Sequence, residues 1–257
     1  MKSLENKNTV ITGGSDGIGL GIAQSFAENG ANLRIVGRNK EKLEEVKLKL
    51  DHYGVKIHTI AYDLSESTGV PALGKQILEY FPRIDVLVNN AGIGLFSPFL
   101  ETEQQRLDLH INLNIRTPFL LTQALLPALI KAKGNVINIS SYFAHRMLQG
   151  RDSTCYSITK GAINSFTKSL AFEIGHLGVR VNAIAPGSVQ TPQLTRNLQL
   201  MPETGQEHFH NMIKNIYPMG HIGKVDDIGN AATFLASEQA NWITGVIMPV
   251  DGGLTTN

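Results

Sequence analysis

Tyr156 and Lys160 stand four residues apart in Tyr156-Ser157-Ile158-Thr159-Lys160. On a helix that spacing puts a phenol and an ammonium on one face, one turn apart. An ammonium beside a phenol stabilises the phenolate and so lowers its pKa. A phenol tuned in this way can pass a proton to or from an alcohol oxygen near neutral pH. None of the other tyrosines has a lysine at the fourth position beyond it. The pair by itself also describes an ordinary helix surface, so its meaning depends on what the chain places beside it.

The elements that would position it read as strands alternating with helices. Asn8 to Thr12 is a short buried strand, and Gly13-Gly14-Ser15-Asp16-Gly17-Ile18-Gly19 follows it into a helical pattern that runs to Glu28. Glycines at such a turn let the backbone approach a pyrophosphate, and the helix N-terminus adds free N–H groups and the positive end of its dipole. The spacing here is Gly13-x-x-x-Gly17-x-Gly19, which a plain strand-to-helix turn could also show. The second strand, Asn32 to Val36, runs into Gly37-Arg38-Asn39 with no acid between Asn29 and Lys40. In dinucleotide-binding units an acid at that point holds the ribose 2′-hydroxyl, whereas an Arg suits a 2′-phosphate. Arg38 therefore favours NADP over NAD. Asp16, in the phosphate loop, argues the other way.

Lys40 to Tyr53 is a charged helix in which Glu41, Glu44 and Glu45 mix with Lys42, Lys47 and Lys49, read as a solvated face. A strand from Val55 to Tyr62 leads to Asp63, an acceptor for an adenine amino group or a turn residue, and to Ser65, an expected N-cap for a helix to Phe81. Ile84 to Val88 is the fourth strand and ends in Asn89-Asn90-Ala91-Gly92. A long helical pattern from Thr102 to Lys131 carries Asn112, Asn114 and Pro118. The fifth strand, Asn135 to Ile139, ends at Ser140-Ser141, and the sixth, Val179 to Ala185, ends at Pro186-Gly187. Pro192 to Pro218 has a poor pattern and reads as a mobile lid over about 190–218. A helix from Val225 to Ser237 and a strand from Val246 to Val250 close the chain. Alternation of this kind predicts one doubly wound parallel sheet, and the polar candidates fall beyond successive strand ends, where such sheets bind ligands.

Composition narrows the function classes. The 257 residues are 42% hydrophobic, enough for one sizeable α/β domain, and the formal net charge is +1. No block of like charge suggests a nucleic-acid partner. The N-terminal residues lack an apolar signal region, and no apolar run reads as long enough to span a bilayer. The single cysteine, Cys155, excludes an internal disulfide and fits a reducing, cytoplasmic setting. The eight histidines show no ligand spacing, so no metal is expected.

With these residues assembled, the chain resembles the short-chain dehydrogenase/reductase family over nearly its whole length. The matching elements are Thr12-Gly13-x-x-x-Gly17-Ile18-Gly19, Asn89-Asn90-Ala91-Gly92, Ser141, Tyr156-x-x-x-Lys160 and Pro186-Gly187. The resemblance implies a single-domain Rossmann fold, a doubly wound seven-stranded parallel sheet with helices on both faces and NAD(P) across the strand ends. It implies Tyr156 as acid/base, Ser141 as donor to the reacting oxygen, and Lys160 on the nicotinamide ribose. Asn112, in Ile111-Asn112-Leu113, would hold a water that links Lys160 to solvent. The cofactor set it implies is Gly13, Ser15, Asp16, Gly17, Ile18, Gly19, Arg38, Asp63, Leu64, Asn90, Ala91, Gly92, Tyr156, Lys160, Pro186, Gly187, Val189 and Thr191. The substrate would be a ketone, sugar or keto acid, or the matching secondary alcohol, bounded by Gly94, Phe96, Tyr142 to Arg151, Val189 and the lid. A dimer or tetramer is implied, with Trp242 to Gly245 and the last strand as an interface. Two other readings stand beside this one: a 3-oxoacyl-acyl-carrier-protein reductase, weakened by Phe172 and Leu177 where basic residues are expected, and a non-catalytic redox sensor, weakened by an intact Ser141, Tyr156 and Lys160.

Overall fold

Short runs rich in Val and Ile, four to seven residues long, make the strands of the main sheet. The computed structural model describes residues 2–149, 151–199 and 202–256. In order the elements are β1 (Asn8–Thr12), α1 (Gly17–Glu28), β2 (Asn32–Gly37), α2 (Lys40–Leu50), β3 (Ile57–Ala61), α3 (Val70–Tyr80) and β4 (Val86–Asn89). Then come α4 (Gln104–Ile111), a π-helical turn (Asn112–Arg116), α5 (Thr117–Ala132), β5 (Asn135–Ile139), α6 (Thr154–Ile174) and β6 (Arg180–Pro186). The chain finishes with β7 (Val189–Gln190), α7 (Pro192–Gln199), α8 (Glu203–Ile216), β8 (Gly223–Lys224), α9 (Val225–Ala236) and β9 (Ile247–Val250).

Seven strands form one parallel sheet in the order β3-β2-β1-β4-β5-β6-β9. The order reverses between β1 and β4, the switch point at which open α/β sheets leave a crevice beyond the strand ends. Two apolar layers cover the sheet. Phe26, Ile22, Leu43 and Leu235 pack on one face, and Ile77, Leu121, Leu125 and Ile174 on the other. The central strands are buried on both faces, which is why they read as continuous apolar runs rather than alternating ones.

Three local expectations change. The helix expected from Ser65 begins later, at Val70, after a short 3₁₀ turn, and Ser65 turns its hydroxyl to Asp63 at 2.7 Å instead of capping it. The stretch from Gln104 to Ala132 is one 29-residue helical run, long and apolar enough by length and composition to cross a membrane. Its Leu121, Leu125 and Leu129 face is buried in the core that α3 shares. The expected lid is two helices rather than an irregular loop, although its Leu200 and Met201 lie outside the described residues, as does Gly150 of the expected pocket wall. Leu194, Leu198, Phe209, Ile213 and Tyr217 gather with Tyr142, Phe143 and Leu254 into a third apolar cluster.

Candidate active site

The crevice begins where β1 and β4 end side by side. Thr12 Oγ1 accepts the backbone N–H groups of Asn90 and Ala91, each at 3.0 Å. Asn90 Nδ2 returns to the carbonyls of Thr12 at 2.9 Å and Gly13 at 3.2 Å. This stitching explains why Asn and Thr stand at those strand ends: both satisfy backbone groups that leave the ladder. Gly13 adopts a φ of +64°, which a side chain resists. A Cβ on Gly19 would lie 2.2 Å from the Gly13 carbonyl oxygen, so only glycine lets α1 start this close to the loop. Asp16 caps α1 by accepting the Gly17 N–H at 2.8 Å.

The resulting cleft holds about 380 Å³ and runs along the strand ends from Gly17 and Ile18, past Ala91 and Gly92, to Ser141, Tyr156 and Lys160. Pro186, Gly187 and Thr191 form its far wall, with Val189 buried just behind. An elongated cleft that starts on a glycine-lined helix N-terminus fits a dinucleotide whose pyrophosphate rests on backbone N–H groups.

At the other end of the cleft, Ser141, Tyr156 and Lys160 come together. Ser141 lines the cleft beside Tyr156, and its Oγ accepts the Phe143 N–H at 3.3 Å. Ser140 is occupied elsewhere, its Oγ 2.6 Å from Asn164 Oδ1 on α6. Phe96 and Phe143 stand edge-on to the Tyr156 ring at 5.8 and 5.7 Å. Burial pushes the Tyr156 pKa up to about 12, and the Ser141 hydroxyl pulls against that rise. The sequence predicted a lowered phenol, with Lys160 as the cause. In the structure the Lys160 Nζ lies 5.5 Å from the phenol ring's centre and donates to the Ile139 carbonyl at 2.7 Å. Burial brings Lys160 itself down to about 8. In this state the pair is a protonated phenol above a weakly held ammonium proton.

Asn112 does not reach the site. It sits on the half-exposed side of the π-helical turn, its side-chain oxygen bound by Arg116. Asn114, two residues on, faces inward instead. It is buried, accepts the Ile93 N–H at 2.8 Å and donates to the Ile93 carbonyl at 2.9 Å and to Thr159 Oγ1 at 3.0 Å. It also lies against Gly92, in the cleft wall. The signal was in the sequence: Pro118, four residues beyond Asn114, has no N–H to give the Asn114 carbonyl, and single π-turns of this kind cluster at functional sites.

The adenosine end is polar and charged. Arg38 extends from the end of β2 with its side chain 82% exposed, 4.0 Å from Asp63. Asp63 is a turn residue first, accepting the Ser65 N–H at 3.0 Å and its hydroxyl, and the Ser65 bond leads the effects that hold its carboxyl low. Leu64 is buried, with its carbonyl taken by Thr117. Ser15 packs under Gly37, where a Cβ would meet its Oγ at 2.9 Å. Lys42, read as part of a solvated helix face, instead forms an ion pair with Asp16 across the loop. Burial works to raise the Asp16 carboxyl, but Lys42 and the Gly17 N–H outweigh it and the pKa falls.

One further group escaped the sequence reading. His110 is fully buried and supports the wall: Nδ1 donates to the Arg106 carbonyl at 2.8 Å, and Nε2 accepts the Leu95 N–H at 3.1 Å. A lone histidine in a helix gives no such signal. Arg146, expected to face substrate, donates to the Leu254 carbonyl.

A cleft at the switch point of a parallel sheet, with a Tyr-Ser-Lys cluster at one end, defines a dinucleotide-dependent oxidoreductase. The chain belongs to the short-chain dehydrogenase/reductase family: residues 13–255 match the family model described as enoyl-(acyl carrier protein) reductase. Oxidoreductase UcpA of Escherichia coli is 37% identical over 256 residues, 99% of this chain and 97% of its own. The 3-oxoacyl-[acyl-carrier-protein] reductase FabG of Chlamydia muridarum is 37% identical over 253 residues, 98% of each chain. The crystal structure of L-sorbose reductase from Gluconobacter frateurii, complexed with NADPH and L-sorbose, superposes with a TM-score of 0.94 and 30% identity, covering 100% of both chains. The protein is accordingly an enzyme of alcohol and carbonyl groups with NAD(P) as its cofactor.

Proposed function

We propose that this enzyme prefers NADP(H) and moves a hydride between the nicotinamide and the carbon of a small or medium ketone, sugar or keto acid. The observation that carries this reading is the joint placement of Tyr156, Ser141 and Lys160 at one end of the cleft, with the exposed Arg38 following Gly37, which packs on the glycine loop that starts the other end. The solved L-sorbose reductase holding NADPH and L-sorbose supports the same direction and substrate type.

The bound nicotinamide supplies or accepts the hydride. In reduction Tyr156 gives its hydroxyl proton to the carbonyl oxygen as carbon takes the hydride, and the Ser141 hydroxyl donates to the same oxygen. The phenolate left behind is stabilised by the Lys160 ammonium. A phenol with a pKa of about 12 is a proton donor at every neutral pH, which suits reduction. For the next turnover the proton lost from Tyr156 is replaced from Lys160, and Lys160 in turn takes one from solvent beside Asn114, which lies against Gly92 in the cleft wall. Arg38 would pair with the 2′-phosphate.

A second reading, reduction of an acyl chain on a carrier protein, is favoured by the FabG relative. Against it, Phe172 is 93% exposed and Leu177 is exposed as well, where an acidic partner would want cations. We further propose a homo-oligomer, for which exposed Phe119, Phe172 and Trp242 are the natural contacts, in a reducing, cytoplasmic setting that suits the free Cys155. Titration of the purified protein with NADPH and NADH, followed by a screen of ketones, sugars and a carrier-protein thioester, tests the reading. Tighter NADPH binding with turnover of free carbonyls is expected. Tighter NADH binding, or turnover of the thioester alone, would overturn it.

A further inference from the structure

Asp16 and Arg38 make opposite demands on one crevice. The first turn after β1 lies against the end of β2: Thr12 pairs with Val36, and Ser15 packs under Gly37. A carboxylate there welcomes ribose hydroxyls and repels a phosphate dianion, whereas a guanidinium does the reverse. Asp16 is also the cap of α1, holding the Gly17 N–H. Lys42 comes in from the first turn of α2, 26 residues along the chain, and binds the second carboxylate oxygen. That leaves one Asp16 oxygen on the helix cap and the other on an ammonium, while Arg38 stays exposed and keeps only a loose 4.0 Å approach to Asp63. Arg196 of α7 adds a smaller pull on the same carboxylate.

We propose that Lys42 is a specificity-determining residue for the 2′-phosphate: its ammonium neutralises Asp16, which would otherwise repel that phosphate, and so lets Arg38 read it. The inference rests on the NADP reading above and adds to it the residue that makes that reading compatible with Asp16. Lys42 acts here through Asp16, not as the phosphate's own ligand.

The test is calorimetric titration of the intact protein with NADPH and with NADH, read as the ratio of the NADH to the NADPH dissociation constant. Four proteins are compared: the natural chain, Lys42→Met, Asp16→Asn and the double variant. Asparagine keeps an oxygen for the α1 cap. Lys42→Met is expected to lower the ratio about tenfold or more, since a like charge is uncovered beside the phosphate. Asp16→Asn should keep or raise it. The double variant should return to within about threefold of the natural ratio, because the repelling group is gone. A double variant as low as Lys42→Met would overturn the masking role and assign Lys42 to direct phosphate contact. An unchanged ratio in Lys42→Met would overturn any role. Lys42→Gln, with melting curves for all variants, guards against loss of fold. A natural protein that prefers NADH sinks the NADP reading separately; the masking role would then still stand or fall on whether Asp16→Asn rescues Lys42→Met.

Discussion

The two walls of the active-site cleft are built by different means. The cofactor side is backbone: strand ends, a glycine turn and a helix N-terminus, locked by hydrogen bonds of Thr12 and Asn90. The side proposed for substrate is made of side chains: α7 and α8 sit over Tyr142 and Phe143 through an aromatic and aliphatic cluster separate from the two sheet-facing cores. A backbone wall can bind the one ligand part that never changes, the dinucleotide, but cannot be retuned without breaking the fold. A wall of packed side chains can change its lining residue by residue. The catalytic group stands at the junction, since Tyr156 reaches the cleft from α6 and packs at the edge of the lid cluster.

Chemistry at the junction should give the largest effect. Tyr156→Phe is expected to lower kcat by about 10³-fold while NADPH affinity stays within about twofold, as general acid catalysis is lost and the cleft is not. Stopped-flow turnover beside a binding titration checks this, and similar losses in both would mean that Tyr156 holds the cofactor rather than the proton. The pH profile sharpens the same point. Lys160 carries its charge below about 8 and loses it as pH rises through that value. The phenolate left by proton transfer then has no cation beside it, so reductive kcat should fall on the alkaline side. A flat profile from pH 7 to about 9.5 would remove Lys160 from that role.

On the backbone wall, Gly19→Ala should destabilise the protein by about 3 kcal/mol, measured by denaturant unfolding, and weaken NADPH binding. Its Cβ would meet backbone at 2.2 Å, and backbone held by two strands cannot step aside. A loss under about 0.5 kcal/mol would show the loop to be softer than its hydrogen bonds imply.

Next in size is the choice between two asparagines. Asn114→Ala removes three hydrogen bonds that tie the π-helical turn to Ile93 and Thr159, and should lower kcat by roughly 10- to 100-fold. Asn112→Ala removes only an exposed contact to Arg116 and should change kcat less than about twofold. The reverse ranking would restore the role that the sequence suggested for Asn112.

That pair shows where the sequence could be read and where it could not. The strands, the glycine turn, Ser141, Tyr156 and Lys160 are legible because each is local: a run of apolar residues, or a motif within a few positions. Asn112 and Asn114 lie two apart in a stretch whose period is neither α nor regular, and only the π-turn decides which faces the cleft. Lys42 reads as one of several charges on a solvated helix until the fold brings Asp16 beside it. The direction of the Tyr156 pKa failed for a similar reason. A motif states which groups are near one another, whereas burial and the direction of the Lys160 Nζ decide which influence wins.

The lid tests the comparison most gently. Its helices were missed because Leu194 and Leu198, then Phe209, Ile213 and Tyr217, mark narrow apolar stripes on otherwise polar segments. Phe209 is buried in that cluster and makes no part of the dinucleotide cleft. Phe209→Ala should therefore raise the substrate KM about three- to tenfold and leave the NADPH dissociation constant within about twofold. It should cost less global stability than the roughly 3–5 kcal/mol of a core Phe→Ala change, because a satellite cluster can open without unfolding the sheet. Steady-state kinetics with a titration of NADPH separates the two walls. An equal loss of both affinities would mean that side-chain packing in the lid also sets the backbone wall, and that the two are one cooperative unit.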